Sequence, residues 1–352
     1  MFVDLLIGML VISVILLAHE LGHFIFAKLS KVRVDEFGLG FPPRLLSFKR
    51  GETTYSLNAI PFGGFNKLAG EEDPEVPSGL AVKSIPTRLL IIGAGSIMNI
   101  LLALILFSIT FMIPQDVLVG DMLVEEVSPN SPAAIAGIMP QDTIISLNER
   151  QISNNYDLSR NIQLHLGSEI SILVQHSDNS SESFRLVPRW DPPQNEGSIG
   201  VRVTTENSSI ISQSYPFWEA IPKGFVGLYE TVILYKNGII VIIMGAAPAD
   251  FFGPVGIVQA TGEIAGYGIV PLLEFAAFIS LILGLLNLFP LPALDGGRIA
   301  FVMLEWVRRG KRISPKREGL VHLIGFIIFM VIMLAVTLQD IIRIASGETI
   351  LP

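Results

Sequence analysis

The chain has 352 residues, half of them hydrophobic and only 16% charged, with a net charge of −8 and a mean hydropathy of +0.57. A soluble domain is nearer a quarter charged, and several apolar runs reach the roughly 20 residues needed to cross a bilayer; a purely soluble fold is excluded and a polytopic membrane protein with a polar insert is expected. The acidic balance gives no sign of nucleic-acid binding. With no Cys in the chain, disulfides and thiolate ligands are excluded too, and any metal must rest on His and carboxylates.

The first apolar run extends from about Leu5 to Ala27 and holds nothing more polar than Ser13 before His19. It has no preceding Lys or Arg and no clear small-residue cleavage site, so a removable signal peptide is not expected. His19, Glu20 and His23 then follow within five positions. Ionisable groups are costly inside a bilayer and mark function there. His19 and His23 at i and i+4 share one helix face, a spacing that suits one metal ion, with Glu20 beside them as a base for water. At about 1.5 Å per residue, His19 lies roughly 21 Å along from Leu5 in a core of about 30 Å, nearer the far side.

Residues 28–88 form a loop rich in Lys and Arg, which the positive-inside rule assigns to the cytoplasm. Within it, Phe37–Pro43 is apolar and Gly-rich, like a loop packed on the spans, and Thr54–Ile60 alternates like a strand ending at Pro61. Residues 89–113 are an uncharged second span, in which Gly93, Ala94, Gly95 and Ser96 permit close helix packing. Asn99 is expected as an interhelical hydrogen-bond partner.

From about 117 to 190 the chain reads as a soluble domain: a strand at Val124–Val127, a turn and short helix at Ser128–Ile138 closed by Gly137, and a strand and turn at Asp142–Asn148. This order resembles a bacterial, circularly permuted PDZ domain, with Gln141 and Glu149 standing where Gly is usual. His165 and His176 read as solvated surface residues. Residues 191–216, rich in Pro, Ser and Asn, read as a linker. Residues 217–247 are amphipathic, with Lys236-Asn237 interrupting the apolar run, and suit an interfacial or partly inserted helix.

The third span covers 272–292 and is broken by Pro290 and Pro292 just before Asp295. Irregular backbone at membrane depth is tolerated only against protein or a cavity. Asp295 comes about 23 residues after Leu272, at the depth expected for His19 and His23. Two distant stretches thus offer two His and one Asp at one level, matching a catalytic zinc with three protein ligands and an open position; Glu20 is left to take a proton from water and pass it to the leaving amine. Six basic residues from Arg308 to Arg317 form a second cytoplasmic loop, and residues 320–338 are the last span. His322, near its inner end, reads as a packing residue.

The ordered motifs resemble the site-2 protease family of intramembrane zinc metalloproteases, of the regulator-of-sigma-E protease type. They are His19-Glu20-Leu21-Gly22-His23, Gly38-Leu39-Gly40, Tyr55 to Gly64, Gly253 to Ile257, and Asn287 to Gly296. The resemblance implies a membrane α-helical fold of about four transmembrane helices, with a membrane-associated β-loop and an inserted extracytoplasmic PDZ-like α+β domain. The expected division is 1–116 (N-terminal membrane core), 117–190 (PDZ-like), 191–271 (linker and interfacial helix) and 272–352 (C-terminal membrane core). It further implies cleavage of single-pass transmembrane proteins, anti-sigma factors or signal-peptide remnants, in the bacterial plasma (inner) membrane. The active site is expected towards the cytoplasm.

Substrate contacts are expected at Gly38 and Gly40 and along Tyr55, Leu57, Asn58, Ala59 and Ile60, where an extended peptide could add to a strand edge. Asn287 is expected to hold the substrate or the developing oxyanion. The PDZ-like domain would filter by size or bind peptide C-termini. A catalytically inactive PDZ-bearing scaffold is the alternative, to be favoured by loss of His19, Glu20, His23 or Asp295; an ion transporter lacks the inverted repeats it would need.

Overall fold

The computed structural model describes residues 2–71, 73, 75–247 and 252–346. The chain forms two compact units, Met1–Thr110 with Phe251–Pro352 and Phe111–Asp250.

The first unit opens with α1 (Phe2–Leu29), apolar all round over most of its length, as a helix without a water-facing side must be. Next come β1 (Val34–Arg50) and β2 (Thr53–Leu68), paired antiparallel. Each is long enough to fold back on its partner. Residues 36–39 pair on one side with 64–67 and on the other with 54–57, and 54–57 pair in turn with 46–49. The result is a curled sheet ordered 64–67, 36–39, 54–57, 46–49. The expected loop at Phe37–Pro43 is therefore part of β1, and the strand expected to stop before Pro61 continues to Leu68. The helix α2 (Ile85–Met112) follows.

The second unit is a six-stranded sheet with helices. In chain order it comprises β3 (Gln115–Val127), α3 (Pro132–Ala136), β4 (Thr143–Leu147), β5 (Arg150–Gln151), α4 (Asn155–Leu164), β6 (Ile170–Gln175), β7 (Ser181–Leu186), β8 (Val201–Gln213) and α5 (Phe217–Ile243). The strand order is β7-β6-β4-β3-β8, with β5 on β4. Met122, Val124, Ile144, Leu147, Ile172 and Val174 form its core. Ser131 caps α3 by accepting from the Ala134 N–H, and Gly137 ends it in the left-handed region. Gln141 and Glu149 have φ of +76° and +65°; the two positions where glycine is usual are ones where glycine carries no Cβ penalty.

Three readings of this unit change. Residues 191–216 are not simply a linker, because β8 occupies Val201–Gln213 and pairs along β3; Val201 and Val203 pack on the core, while its Ser- and Asn-rich second half hides the strand pattern. His176 is half-buried: its Nδ1 lies 2.7 Å from Asp142 Oδ1, and the hydrogen bond it donates to that carboxylate raises its pKa above the ordinary value. His165 turns Nδ1 back to the Asn161 carbonyl at 2.7 Å. Meanwhile α5 is one continuous helix whose polar stripe packs within the unit. Glu230 accepts from Arg150 and Arg160 at 2.7 and 2.9 Å, and Asn237 donates to the Gln163 carbonyl at 2.7 Å.

The chain then returns to the first unit with α6 (Pro254–Ala265), α7 (Ile269–Asn287), α8 (Asp295–Val307) and α9 (Pro315–Ala345). Small residues let the helices close up. Gly22 of α1 lies against the Ala94 carbonyl of α2, and Gly284 of α7 against the Ser96 carbonyl; Ser280 donates to the Asn99 carbonyl at 2.8 Å. At the far end of α9, buried Asp340 accepts from the Gly256 N–H of α6 at 2.7 Å. Among the described residues five helices are long and apolar enough to cross a membrane: Val3–Leu29, Ile85–Met112, Phe217–Ile243, Ile269–Asn287 and Pro315–Ala345. That is one more than the four expected. The additional one, α5, has a mean hydropathy of 1.5 against 2.2 to 2.7 for the others, because its sequence carries Glu230, Lys236 and Asn237.

Candidate metal centre

The site lies within the first unit, where α1, α2 and the start of α8 meet. The i, i+4 spacing puts His19 and His23 on one face of α1, with their Nε2 atoms 3.1 Å apart. His23 Nδ1 lies 2.8 Å from the Ile91 carbonyl of α2. A carbonyl only accepts, so Nδ1 carries the proton and Nε2 offers a lone pair to the site. Asp295 is the first residue of α8, where a carboxylate suits the helix dipole. The Pro-broken stretch Leu288–Leu294 allows that helix to start beside α1. Asp295 Oδ2 stands 3.0 Å from His19 Nε2 and 3.1 Å from His23 Nε2.

Two imidazole nitrogens and a carboxylate oxygen thus form a near-equilateral triangle, the one such ligand group among the described residues. Its edges are slightly tighter than a tetrahedral zinc with ligands at about 2.0–2.2 Å would set. Oδ2 of Asp295 is buried without a hydrogen-bond donor of good geometry, as a metal-facing oxygen should be. Space comes from Gly95 of α2. A Cβ there would lie 2.4 Å from His23 Nε2 and 2.6 Å from His19 Nε2. The residues fit a zinc ion by donor chemistry, convergence and clearance.

A cavity of about 210 Å³ opens onto the triangle, lined by Glu20, Phe65, Asn66, Glu71 and Arg298 as well as the three ligand candidates. Arg298, one turn after Asp295, pairs with Glu71 at 2.9 Å. These two also line an adjoining cavity of about 330 Å³, whose wall includes Arg88, Glu305 and Arg312. Glu305 accepts from Arg88 at 2.7 Å and from Arg312 at 3.2 Å, tying α8 to α2. Behind the loop that leads into Asp295, the Ala293 N–H donates to His322 Nδ1 of α9 at 3.3 Å; Ala293 has a φ of +79°, so a side chain expected only to pack props a strained turn two residues before Asp295.

Residues 7–332 match peptidase family M50. The chain belongs to that family. It is 36% identical over 346 residues to a protein of Clostridium acetobutylicum whose name assigns it provisionally to the zinc metalloproteases; the match covers 97% of this chain and 98% of that one. Zinc metalloprotease RasP of Geobacillus kaustophilus is 29% identical over 406 residues, covering 92% of this chain and 94% of its own. RasP of Oceanobacillus iheyensis is 29% identical over 426 residues, covering 95% and 98%. As an M50 peptidase, the chain is a zinc metalloprotease of the site-2 protease type with several membrane-spanning helices.

Other expected contacts lie elsewhere. Asn287, Tyr55, Leu57, Asn58, Ala59, Ile60, Gly38 and Gly40 are not among the residues lining the cavity at the triangle. The expected strand edge needs correction over Tyr55 to Leu57, whereas Asn58 and Ile60 pair on one side only, with Arg44 and Phe41. Thr54 to Leu57 are hydrogen-bonded on both sides, for instance Tyr55 to Phe37 and to Phe48, so this segment is interior to the sheet. Period-2 alternation reveals a strand but not how many neighbours it has. Asn58 donates its carboxamide to the Gly40 carbonyl at 3.0 Å. Gly38 and Gly40 have packing reasons: a Cβ at Gly38 would strike the Phe65 ring, and Gly40 has a φ of +76°. Conversely, Gly95, Asn66, Glu71 and Arg298 stand at the cavity or the triangle without belonging to any of the sequence motifs. Only Arg298, at i+3 from Asp295 on a helix, carried a usable signal.

Proposed function

We propose that this M50 peptidase cleaves single-pass membrane proteins within or beside their spanning helix, as in regulated intramembrane proteolysis, with His19, His23 and Asp295 holding zinc and Glu20 as the base. The observation that carries this reading is the ligand triangle at the end of a spanning helix, with a second carboxylate, Glu20, in the same cavity. Bound zinc supplies a Lewis acid, lowering the pKa of water at the site to about 7. The protein's own groups do the rest. The Ile91 carbonyl fixes the His23 tautomer, Glu20 accepts a proton from water and returns it to the leaving amine, and the walls of the cavity keep lipid out. The polar groups Glu71, Arg298, Glu305 and Arg312 offer water a route from the basic loop.

The charge of the two basic loops supports a cytoplasmic placement for residues 28–88 and 308–317, hence an active site towards the cytoplasm of a bacterial plasma membrane. On the same rule the 117–271 region is extracytoplasmic, and its strand and helix order supports a PDZ-like domain that filters substrates or holds peptide C-termini. The polar stripe of α5, satisfied inside its own unit, supports four spans with α5 at the interface. The scaffold alternative loses ground because all four reactive residues are present in one cavity.

The test is reconstitution. Purified protein in liposomes with a single-span reporter is expected to yield two fragments whose new ends map by mass spectrometry to the spanning segment. Chelation should stop the reaction and zinc restore it. Fragments ending only in soluble regions would reject the intramembrane reading.

A further inference from the structure

Asn66 is the unexplained polar group of the metal cavity. It sits on the segment of β2 that pairs with 36–39 on one side only; its own partner there is Phe37. Together with Phe65 and Leu68 it lines the cavity that contains His19, Glu20 and Asp295. Both Oδ1 and Nδ2 are buried, and neither has a hydrogen-bond partner among the described residues. Buried amides are nearly always satisfied, and an orphan on a residue that lines a cavity needs a reason. The other asparagine of this sheet supplies the contrast, since Asn58 uses its Nδ2 on the Leu39 and Gly40 carbonyls at 3.3 and 3.0 Å.

We propose that the Asn66 carboxamide binds the main chain of the unwound substrate next to the scissile bond. A carboxamide has the same donor and acceptor set as a peptide group, so it can give an N–H and take a C=O from an extended segment whatever its side chains. That selectivity for main chain over side chain is what an enzyme acting on varied apolar helices needs. It also places the substrate contact on residues 64–68, the outer strand of the curled sheet, and away from Tyr55–Ile60. Asn66 is then a substrate-binding residue in its own right, whereas Phe65 serves packing by covering Gly38.

This inference rests on the reading of His19, Glu20, His23 and Asp295 as the reactive centre. The experiment compares full-length Asn66→Leu and Asn66→Ala with the parent protein in detergent. It measures zinc content, melting temperature and the KM and kcat for a single-span reporter, and repeats the binding of uncut reporter in a Glu20→Gln background. Leu shares the branching of Asn at Cγ and has no unpaired polar atoms, and Ala covers the case in which the bulk of the Leu methyls matters. The melting temperature should therefore hold or rise, because removing an unsatisfied buried amide relieves a cost. Zinc should be unchanged, kcat/KM should fall about tenfold, as for the loss of one or two hydrogen bonds, and reporter binding in the Glu20→Gln background should weaken by a similar factor. Unaltered kcat/KM and binding in both variants would overturn the proposal, as would an activity loss matched by lost zinc and a lowered melting temperature. Should Glu20→Gln still cleave, the reading of the centre fails; should Glu20→Gln be inactive while Asn66→Leu cleaves normally, only the role of Asn66 fails.

Discussion

Glu20→Gln is expected to reduce cleavage of a membrane-spanning reporter by at least about 10²–10⁴-fold, the usual worth of a positioned general base, while zinc content stays at the level of the parent. The expectation follows from the division of labour in the cavity. Glu20 lines it, but the atoms that converge as a ligand set belong to His19, His23 and Asp295. Glutamine keeps the length and most of the packing of the side chain, which lies near the backbone of Gly64, and loses only the ability to take a proton. A variant that kept its zinc and cleaved at the parental rate would remove Glu20 from the reaction. One that lost its zinc would make Glu20 a ligand and leave the base to be found elsewhere. Turnover and elemental analysis on the same preparation separate these outcomes.

Gly95→Ala is the second large effect. In a helix this exchange ordinarily stabilises by about 1 kcal/mol, so local propensity predicts a benefit. The tertiary contacts predict the reverse. The new methyl would stand 2.4 Å from His23 Nε2 and 2.5 Å from His19 Cε1, closer than carbon and nitrogen atoms can approach. The His23 ring is not free to yield, because its Nδ1 is held by the Ile91 carbonyl. Nor can α1 back away easily, since Gly22 is already pressed on the Ala94 carbonyl. The methyl also fills the space in which the three ligand atoms meet. Zinc affinity is expected to fall by well over the roughly 10–100-fold seen when groups supporting metal ligands are changed, with loss of activity in step. Chelator competition measures it. Parental zinc affinity in Gly95→Ala would show that the metal does not sit between α1 and α2.

The candidate ligand set was legible in the sequence because two of its members share a helix turn and the third announces itself by a broken span. His19 and His23 need only the 3.6-residue period to meet. Asp295 needs the prolines before it, which explain why a helix can begin at that depth. Gly95 was visible only as one of a run of small residues that permit packing; that its missing side chain makes room for the two imidazoles depends on how α1 lies against α2. Asn66 left no signal at all. Its neighbours in sequence are ordinary strand residues, and its exposure to the cavity follows from the doubling of β1 and β2 into a curled sheet. The same doubling encloses the Tyr55–Leu57 part of the expected edge, since alternation marks a strand and is silent about which of its edges are paired. In the second unit the helix at 217–247 was readable from its apolar run. That Glu230 would be spent on Arg150 and Arg160 required partners some 70 to 80 residues away. The strand β8 went unread because its pairing with β3 relies on backbone hydrogen bonds that Ser- and Asn-rich sequence makes as readily as any other.

Zinc stoichiometry in Asp295→Asn tests the whole account most directly, because Asp295 is the point at which the second membrane segment joins the first. Asparagine preserves shape and removes the charge that makes the oxygen a strong ligand. Elemental analysis of the purified variant, equilibrated in a zinc-buffered solution beside the parent protein, is expected to find the parent stoichiometrically loaded and the variant largely without metal. Equal zinc in the two proteins would mean that Asp295 is not a ligand and that the centre joining α1 to α8 is not the one that binds the metal.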